Sequence, residues 1–178
     1  IRPITRIKIS QLIALQLVRL KHIQKLLSSV TLPGLAMIKD VIVTHLDVIN
    51  TLGGNVMHGI KSTSDGYAGF GEAYFSQIDK GAIKAWKRHK EMTLNLMVPV
   101  GEIRFILFDE RKVSNTQFQE IVISKNNFCR LTVPPMIWMG FQGLSDGGSM
   151  LLNIANIEHN VHEVDKKKIE QIEFNWSK

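Results

Sequence analysis

At 178 residues, with 44% hydrophobic and 21% charged side chains, the chain can build one domain with a substantial core and is not a disordered polymer. Its formal charge of +6 is concentrated at one end: residues 1–36 hold Arg2, Arg6, Lys8, Arg19, Lys21 and Lys25 and no acid, leaving 16 basic and 16 acidic residues in 37–178. That neutral body argues against a nucleic-acid partner. The single cysteine, Cys129, excludes a disulfide framework and a multi-cysteine zinc site, and reads as a buried thiol in a reducing compartment.

In chain order, Ser10 to Val30 comes first, with Leu12, Leu15, Ile23, Leu26 and Leu27 at spacings near three and four; this predicts a helix with Ser10 as N-cap. It has no uninterrupted apolar run of about 18 residues, so no membrane span is expected. Three readings stand for residues 1–36: an amphipathic surface or targeting helix, a helix added to the main domain, or sequence lying upstream of a start at Met37. The main domain is expected to run from 37 to 178. Beyond Met37 short strand-like runs follow one another: VIVTHLDVI, YAGFGEAYFSQI, TLNLMVPV, EIRFILFD, FQEIVIS, FCRLTVP, IWMGFQGL and SMLLNIANI. Tight connections are expected at Gly53-Gly54, Asp65-Gly66, Lys80-Gly81 and Asp146-Gly147-Gly148. This pattern predicts an all-β antiparallel barrel or jelly roll. The tail HEVDKKKIEQIEFNW is polar with a short helical phase and is expected to pack outside the barrel as a peripheral element.

Between Gly81 and Gly101 the chain reads GAIKAWKRHKEMTLNLMVPVG. Its spacing is that of the metal-binding cupin motif G-x5-H-x-H-x3/4-E-x6-G, but Lys87 and Leu94 stand at two ligand positions and only His89 survives. In the second half of that motif, Met139 stands where a histidine is expected after Pro134. An ammonium, an isobutyl group and a thioether cannot hold a divalent ion with one imidazole, so no metal is expected. Strand alternation predicts Lys87 and His89 on one face with Ala85, and Trp86, Arg88 and Lys90 on the other. Inside a barrel, such a pair suits proton abstraction beside a carbonyl, with His89 as base and Lys87 on the developing oxyanion. A solvated basic strand with an incidental histidine is the competing reading.

Three segments carry a resemblance to a known family: HGIKSTSDGYAGFGEAYFS, the run from Gly81 to Arg111, and TVPPMIWMGFQGLSDGGSMLLNIANIEHNVHEVD. From about Met37 to Trp176 the chain resembles the RmlC-like cupins that act on nucleotide-activated sugars, the dTDP-4-dehydrorhamnose 3,5-epimerases and dTDP-sugar 3,4-ketoisomerases. The fold so implied is a cupin double-stranded β-helix, a jelly-roll barrel with short peripheral helices. The epimerase pattern G-x-x-R-G-x-H falls on Gly81 to Lys87, so that Lys84 stands for its arginine and Lys87 for its base. The ketoisomerase pattern R-G-x-H-x-H-K falls on Lys84 to Lys90 and keeps His89 and Lys90, and its P-P-x-x-W matches Pro134 to Trp138. The epimerase tyrosine falls near Ala155 to Glu158, where there is none.

The resemblance implies a metal-independent and cofactor-free epimerase or isomerase acting on a nucleotide-linked 4-keto sugar. It would be a cytoplasmic homodimer serving surface-polysaccharide or lipopolysaccharide synthesis. The alternative is a cupin that binds a sugar nucleotide without catalysis. His89 and Lys87 are the expected catalytic pair, and Glu72 and Tyr74, on one face of GEAYFS, are candidates for a replacement acid or else rim residues. For substrate binding the candidates are Lys84, Arg104, Trp138 and Phe141. Arg104 meets either a diphosphate or a neighbouring carboxylate, and the two aromatics either stack on a base or fill the core. His45, His58, His159 and His162 read as surface residues, and Met92, Met97, Met136 and Met139 as core filler.

Overall fold

A computed structural model describes residues 37–113 and 117–177. The helix expected over Ser10 to Val30 lies outside the described residues. Twelve strands are found among them: β1 Ile42–His45, β2 Val48–Thr51, β3 Gly54–Met57, β4 Glu72–Ile78, β5 Ile83–His89, β6 Leu94–Val100, β7 Glu102–Phe108, β8 Phe118–Ser124, β9 Cys129–Val133, β10 Trp138–Gly143, β11 Ser149–Ala155 and β12 Val164–Lys166. VIVTHLDVI, expected as one strand, is broken into β1 and β2. Two single-turn 3-10 helices, Val161–Glu163 and Ile169–Gln171, complete the described structure, and none of its helices is long and apolar enough to cross a membrane.

Two five-stranded sheets form the body, in the orders β1-β9-β6-β11-β4 and β12-β5-β10-β7-β8, with β2-β3 as a separate hairpin. Every strand pairing is antiparallel. From β4 onward the chain changes sheet at every connection except β7–β8, which is the jelly-roll winding of a cupin. Gly81 and Gly101, the glycines that bracket the central motif, each have φ of 77°. At Gly101, where the chain leaves one sheet for the other, a Cβ would stand 2.6 Å from the carbonyl oxygen of Gly148. The motif keeps its glycines for the sheet crossover, whatever happens to its ligands.

The core follows from period-two alternation. Leu94, Leu96 and Val98 of β6 meet Ile103, Phe105 and Leu107 of β7 and Ile121 and Ile123 of β8 between the sheets, all buried. Each such side chain contributes roughly 1.5–3 kcal/mol by leaving water. A second cluster covers the outside of the β5-β10-β7 sheet. There Trp86, Ile106 and Trp138 pack under Ile172, with Phe174 and Trp176 against them. So the last part of the tail does pack outside the barrel. Its first part does not stay peripheral: β12 joins the sheet edge beside β5, because Val164 and the backbone of 163–167 complete the ladder that β5 would otherwise leave open.

Register breaks at two places. On β6, Met97 and Val100 face Leu152 and Met150 of β11, so one extra residue sits in a stretch that contains Pro99, which has no N–H to give the ladder. On β5, Lys84 and Lys87 face Phe141 and Met139 of β10. Three residues there span what two span on the partner, a β-bulge over Ala85 and Trp86. Gly140 lies opposite, and a Cβ on it would come within 2.6 Å of the Ala85 Cβ and 2.9 Å of the Trp176 ring.

Candidate active site

The β5 bulge decides which side chains reach the interior. Without it Lys84 would face away from Lys87 and His89; with it all three line one cavity, together with Lys166. Ala85, expected beside Lys87, lines the cavity with it and also packs against the outer aromatic cluster. The cavity, about 440 Å³, lies between the β12-β5-β10 half of one sheet and the β6-β11-β4 half of the other. The two walls differ in chemistry. The β5, β12 and β10 wall carries Lys84, Lys87, His89 and Lys166, with Met139 and Phe141, whereas the facing wall carries Tyr74 and Ser76 of β4, Leu94 and Leu96 of β6, and Leu151 and Asn153 of β11. Among the described residues, no carboxylate lines it.

His89 is held from behind. Its Nδ1 lies 2.8 Å from Oε2 of Glu163, and the two side chains are 11% and 5% exposed. Oε1 of Glu163 accepts the backbone N–H groups of Glu91 (3.1 Å) and Met92 (2.8 Å). Burial pushes the Glu163 carboxyl up, but the hydrogen bonds from His89 and from those two amides outweigh it and hold it below the ordinary carboxylate value. A carboxylate so fixed accepts Nδ1–H and leaves Nε2 as the lone-pair nitrogen of the ring. Beside the Lys87 ammonium in its own strand, His89 thus has a buried anionic partner supplied by the tail.

Lys87 is held below the ordinary lysine value by burial first, then by Lys166 and Lys84. Lys166 is its direct cross-strand partner. Lys84 reaches across the rim to β4, donating to the Gln77 carbonyl at 2.7 Å and to Ser76 Oγ at 3.2 Å, with its ammonium 6.0 Å from the Phe141 ring centre. On the other face of β5, Arg88 is neutralised by Asp165 and Glu110 and lies over the Trp138 ring. The uncompensated positive charge of this region thus faces the cavity.

The other expected site residues divide. Tyr74 and Phe141 line the cavity, and Glu72, at the far end of β4, does not. Trp138 is 2% exposed and belongs to the outer cluster, beneath Arg88 and Lys167, which places it in the core and away from the cavity. Arg104 is likewise turned outward by strand alternation, buried and ion-paired with Glu120 at 2.9 Å. His45, His58, His159 and His162 are exposed and outside the cavity. Cys129 is buried, which raises its thiol to about 11. Three residues went unread in the sequence: Glu163 and Lys166, hidden in a charge run that resembles a solvated tail, and Asn153. The last left a signal, a polar residue at an inward position amid the apolar residues of LLNIA.

Leu94 and Met139, at the vacant ligand positions, line the same cavity as His89 and Lys87. Among the described residues no three His, Cys, Asp or Glu side chains come together as a ligand set. The donors present suit an anion and a proton transfer, and do not suit a divalent cation.

No protein-family model matches the chain. The probable low-salt glycan biosynthesis epimerase Agl13 of Haloferax volcanii is 30% identical over 136 residues, 74% of this chain and 87% of that protein. The spore coat polysaccharide biosynthesis protein SpsL of Bacillus subtilis is 27% identical over 114 residues, 61% of this chain and 76% of that protein. Among solved structures, a dTDP sugar isomerase from Desulfovibrio desulfuricans G20 superposes with a TM-score of 0.74 at 31% identity, covering 79% of this chain and 92% of that one. Taken with the jelly-roll winding, the Agl13 match over most of both sequences makes this chain a member of the RmlC-like cupins, the family of dTDP-sugar isomerases and epimerases.

Proposed function

We propose that residues 37–178 form a metal-independent epimerase or isomerase of a nucleotide-linked 4-keto sugar, working by proton abstraction beside the carbonyl. The observation that carries this reading is the buried His89–Glu163 pair opening onto a cavity with a lysine wall. In this reading His89 Nε2 removes the proton from the carbon next to the keto group, and Glu163 stabilises the imidazolium that forms. The electron pair moves onto the carbonyl oxygen, and Lys87 holds the resulting enolate; one well-placed donor of this kind is worth about 3 kcal/mol. The depressed proton affinity of Lys87 also lets it share the transfer. Lys84 and Lys166 meet the diphosphate, and Phe141 offers an apolar face to the sugar or base. Tyr74, on the opposite wall, is the candidate to return a proton on the second face.

The relatives place sugar epimerisation and isomerisation, and polysaccharide synthesis, within the range of the family. The finer reading is a dTDP-4-dehydrorhamnose 3,5-epimerase-like step toward a surface polysaccharide, carried out in the cytoplasm by a homodimer. The edge strand β4, with Phe75 exposed and Phe70 just before it, supports pairing with a second copy.

The test is deuterium uptake. In heavy water with dTDP-4-keto-6-deoxyglucose, an enolising enzyme exchanges the hydrogen at carbon 3 or carbon 5, and His89→Ala abolishes that exchange. Binding without exchange by the wild-type chain would replace this reading with that of a non-catalytic sugar-nucleotide cupin.

A further inference from the structure

We propose that Asn153 is the residue that reads the sugar: its carboxamide hydrogen-bonds adjacent carbonyl and hydroxyl oxygens of the ring seated in the cavity. The inference rests on the nucleotide-sugar reading above and adds a specificity-determining residue to it.

Asn153 is 1% exposed, lies on the inward face of β11 and lines the cavity. Neither its Nδ2 nor its Oδ1 has a hydrogen-bond partner among the described residues. A second buried asparagine shows that the fold can satisfy such a group. Asn95 of β6, 2% exposed, donates to the Gly66 carbonyl at 3.1 Å and accepts from Thr132 Oγ1 at 2.8 Å. The amide outside the cavity is satisfied and the one inside it is not. Its direct cross-strand neighbours are Leu96 and Tyr74, and neither gives its amide a hydrogen bond. A buried amide without partners is unfavourable, so a ligand that supplies both a donor and an acceptor gains more here than at a hydrated surface.

The chemistry of that ligand follows from the group. Nδ2 gives a hydrogen to a carbonyl oxygen, and Oδ1 takes one from a hydroxyl on the next carbon. Vicinal keto and hydroxyl oxygens of a keto sugar meet both demands. Lys87 stands on the opposite wall, so the keto oxygen, with two lone pairs, can accept from Lys87 on one side and from Asn153 on the other. A carboxamide has no proton to transfer near neutral pH, so Asn153 binds and orients the ring without acting as acid or base.

Calorimetry on the full chain, with dTDP and with dTDP-4-keto-6-deoxyglucose as probes, tests the assignment. The wild-type chain is expected to bind the keto sugar nucleotide more tightly than dTDP. Asn153→Leu should lower that ratio roughly 10-fold, leave dTDP affinity within about two-fold, and melt no lower than wild type without ligand. Asn153→Asp, nearly isosteric and lacking the N–H donors, should lower the ratio in the same way even if the leucine variant fails to fold. An unchanged ratio in the variants, or no wild-type preference for the sugar, would overturn the inference while leaving the nucleotide site standing. Parallel loss of both affinities would make Asn153 a structural residue. Failure of the wild-type chain to bind either probe would remove the nucleotide-sugar reading and this inference with it.

Discussion

The imidazole of His89 and the carboxylate of Glu163, 74 positions apart in sequence, meet at 2.8 Å with both side chains nearly buried. The same carboxylate caps two backbone N–H groups just beyond β5, so one residue both orients the base and closes the end of the strand that carries it.

Because of that double use, two substitutions at Glu163 separate its roles. Glu163→Gln keeps hydrogen-bonding capacity but removes the charge that stabilises the imidazolium, and is expected to slow deuterium exchange roughly 100-fold with little change in substrate affinity. Glu163→Ala also strands the amides of Glu91 and Met92, and should cost about 1–3 kcal/mol in denaturant unfolding. Exchange kinetics and unfolding curves on the two variants read these effects independently.

Lys87 couples stability to pH. Its ammonium is disfavoured in the folded chain by burial, Lys166 and Lys84, so its folded value lies below 10.5. Between that lowered value and 10.5 the unfolded chain holds more protons at this site, and stability contributed here rises with pH. Below the window both states are charged and folding bears the whole cost. Lys87→Met should therefore melt higher than wild type at neutral pH, with the difference shrinking toward about pH 10. Thermal melts across that range check the sign.

Charge on the cavity wall should appear as salt-dependent anion binding. Lys166→Met is expected to weaken dTDP binding roughly 10-fold at low ionic strength, with the loss fading as salt approaches about 1 M. Lys80→Met is the matched control, since Lys80 pairs with Asp146 on the surface and lies outside the cavity. Calorimetry at two salt concentrations distinguishes a wall charge from a general change in net charge.

The bulge that turns Lys84 inward depends on Gly140. A methyl there would collide with the Ala85 Cβ and the Trp176 ring, so Gly140→Ala should destabilise the chain by about 1–3 kcal/mol and disturb the outer aromatic cluster. Chemical denaturation gives the loss, and tryptophan fluorescence shows whether Trp176 has moved.

Cys129 is fully buried in the core with its thiol raised to about 11, so it should react with thiol reagents only on unfolding. Labelling with and without denaturant checks this.

Local sequence carried the β architecture, because short strand-like runs such as EIRFILF and FQEIVIS, closed by turn residues and with no long helical pattern between them, leave few arrangements but a barrel or sandwich. It also carried His89, Lys87 and Lys84, since they share one strand within a motif framed by Gly81 and Gly101, and it argued against a divalent metal through the chemistry of Leu94 and Met139. It could not place Glu163 or Lys166, because a charge run has the same local pattern whether it meets solvent or pairs with β5. It could not orient Arg104 or Trp138 either. The choice between an inward and an outward face is settled by which sheet each strand joins and where a bulge shifts its phase. The site's residue types were thus written locally, while its dyad, its two unlike walls and the unpartnered amide of Asn153 exist only where distant strands meet.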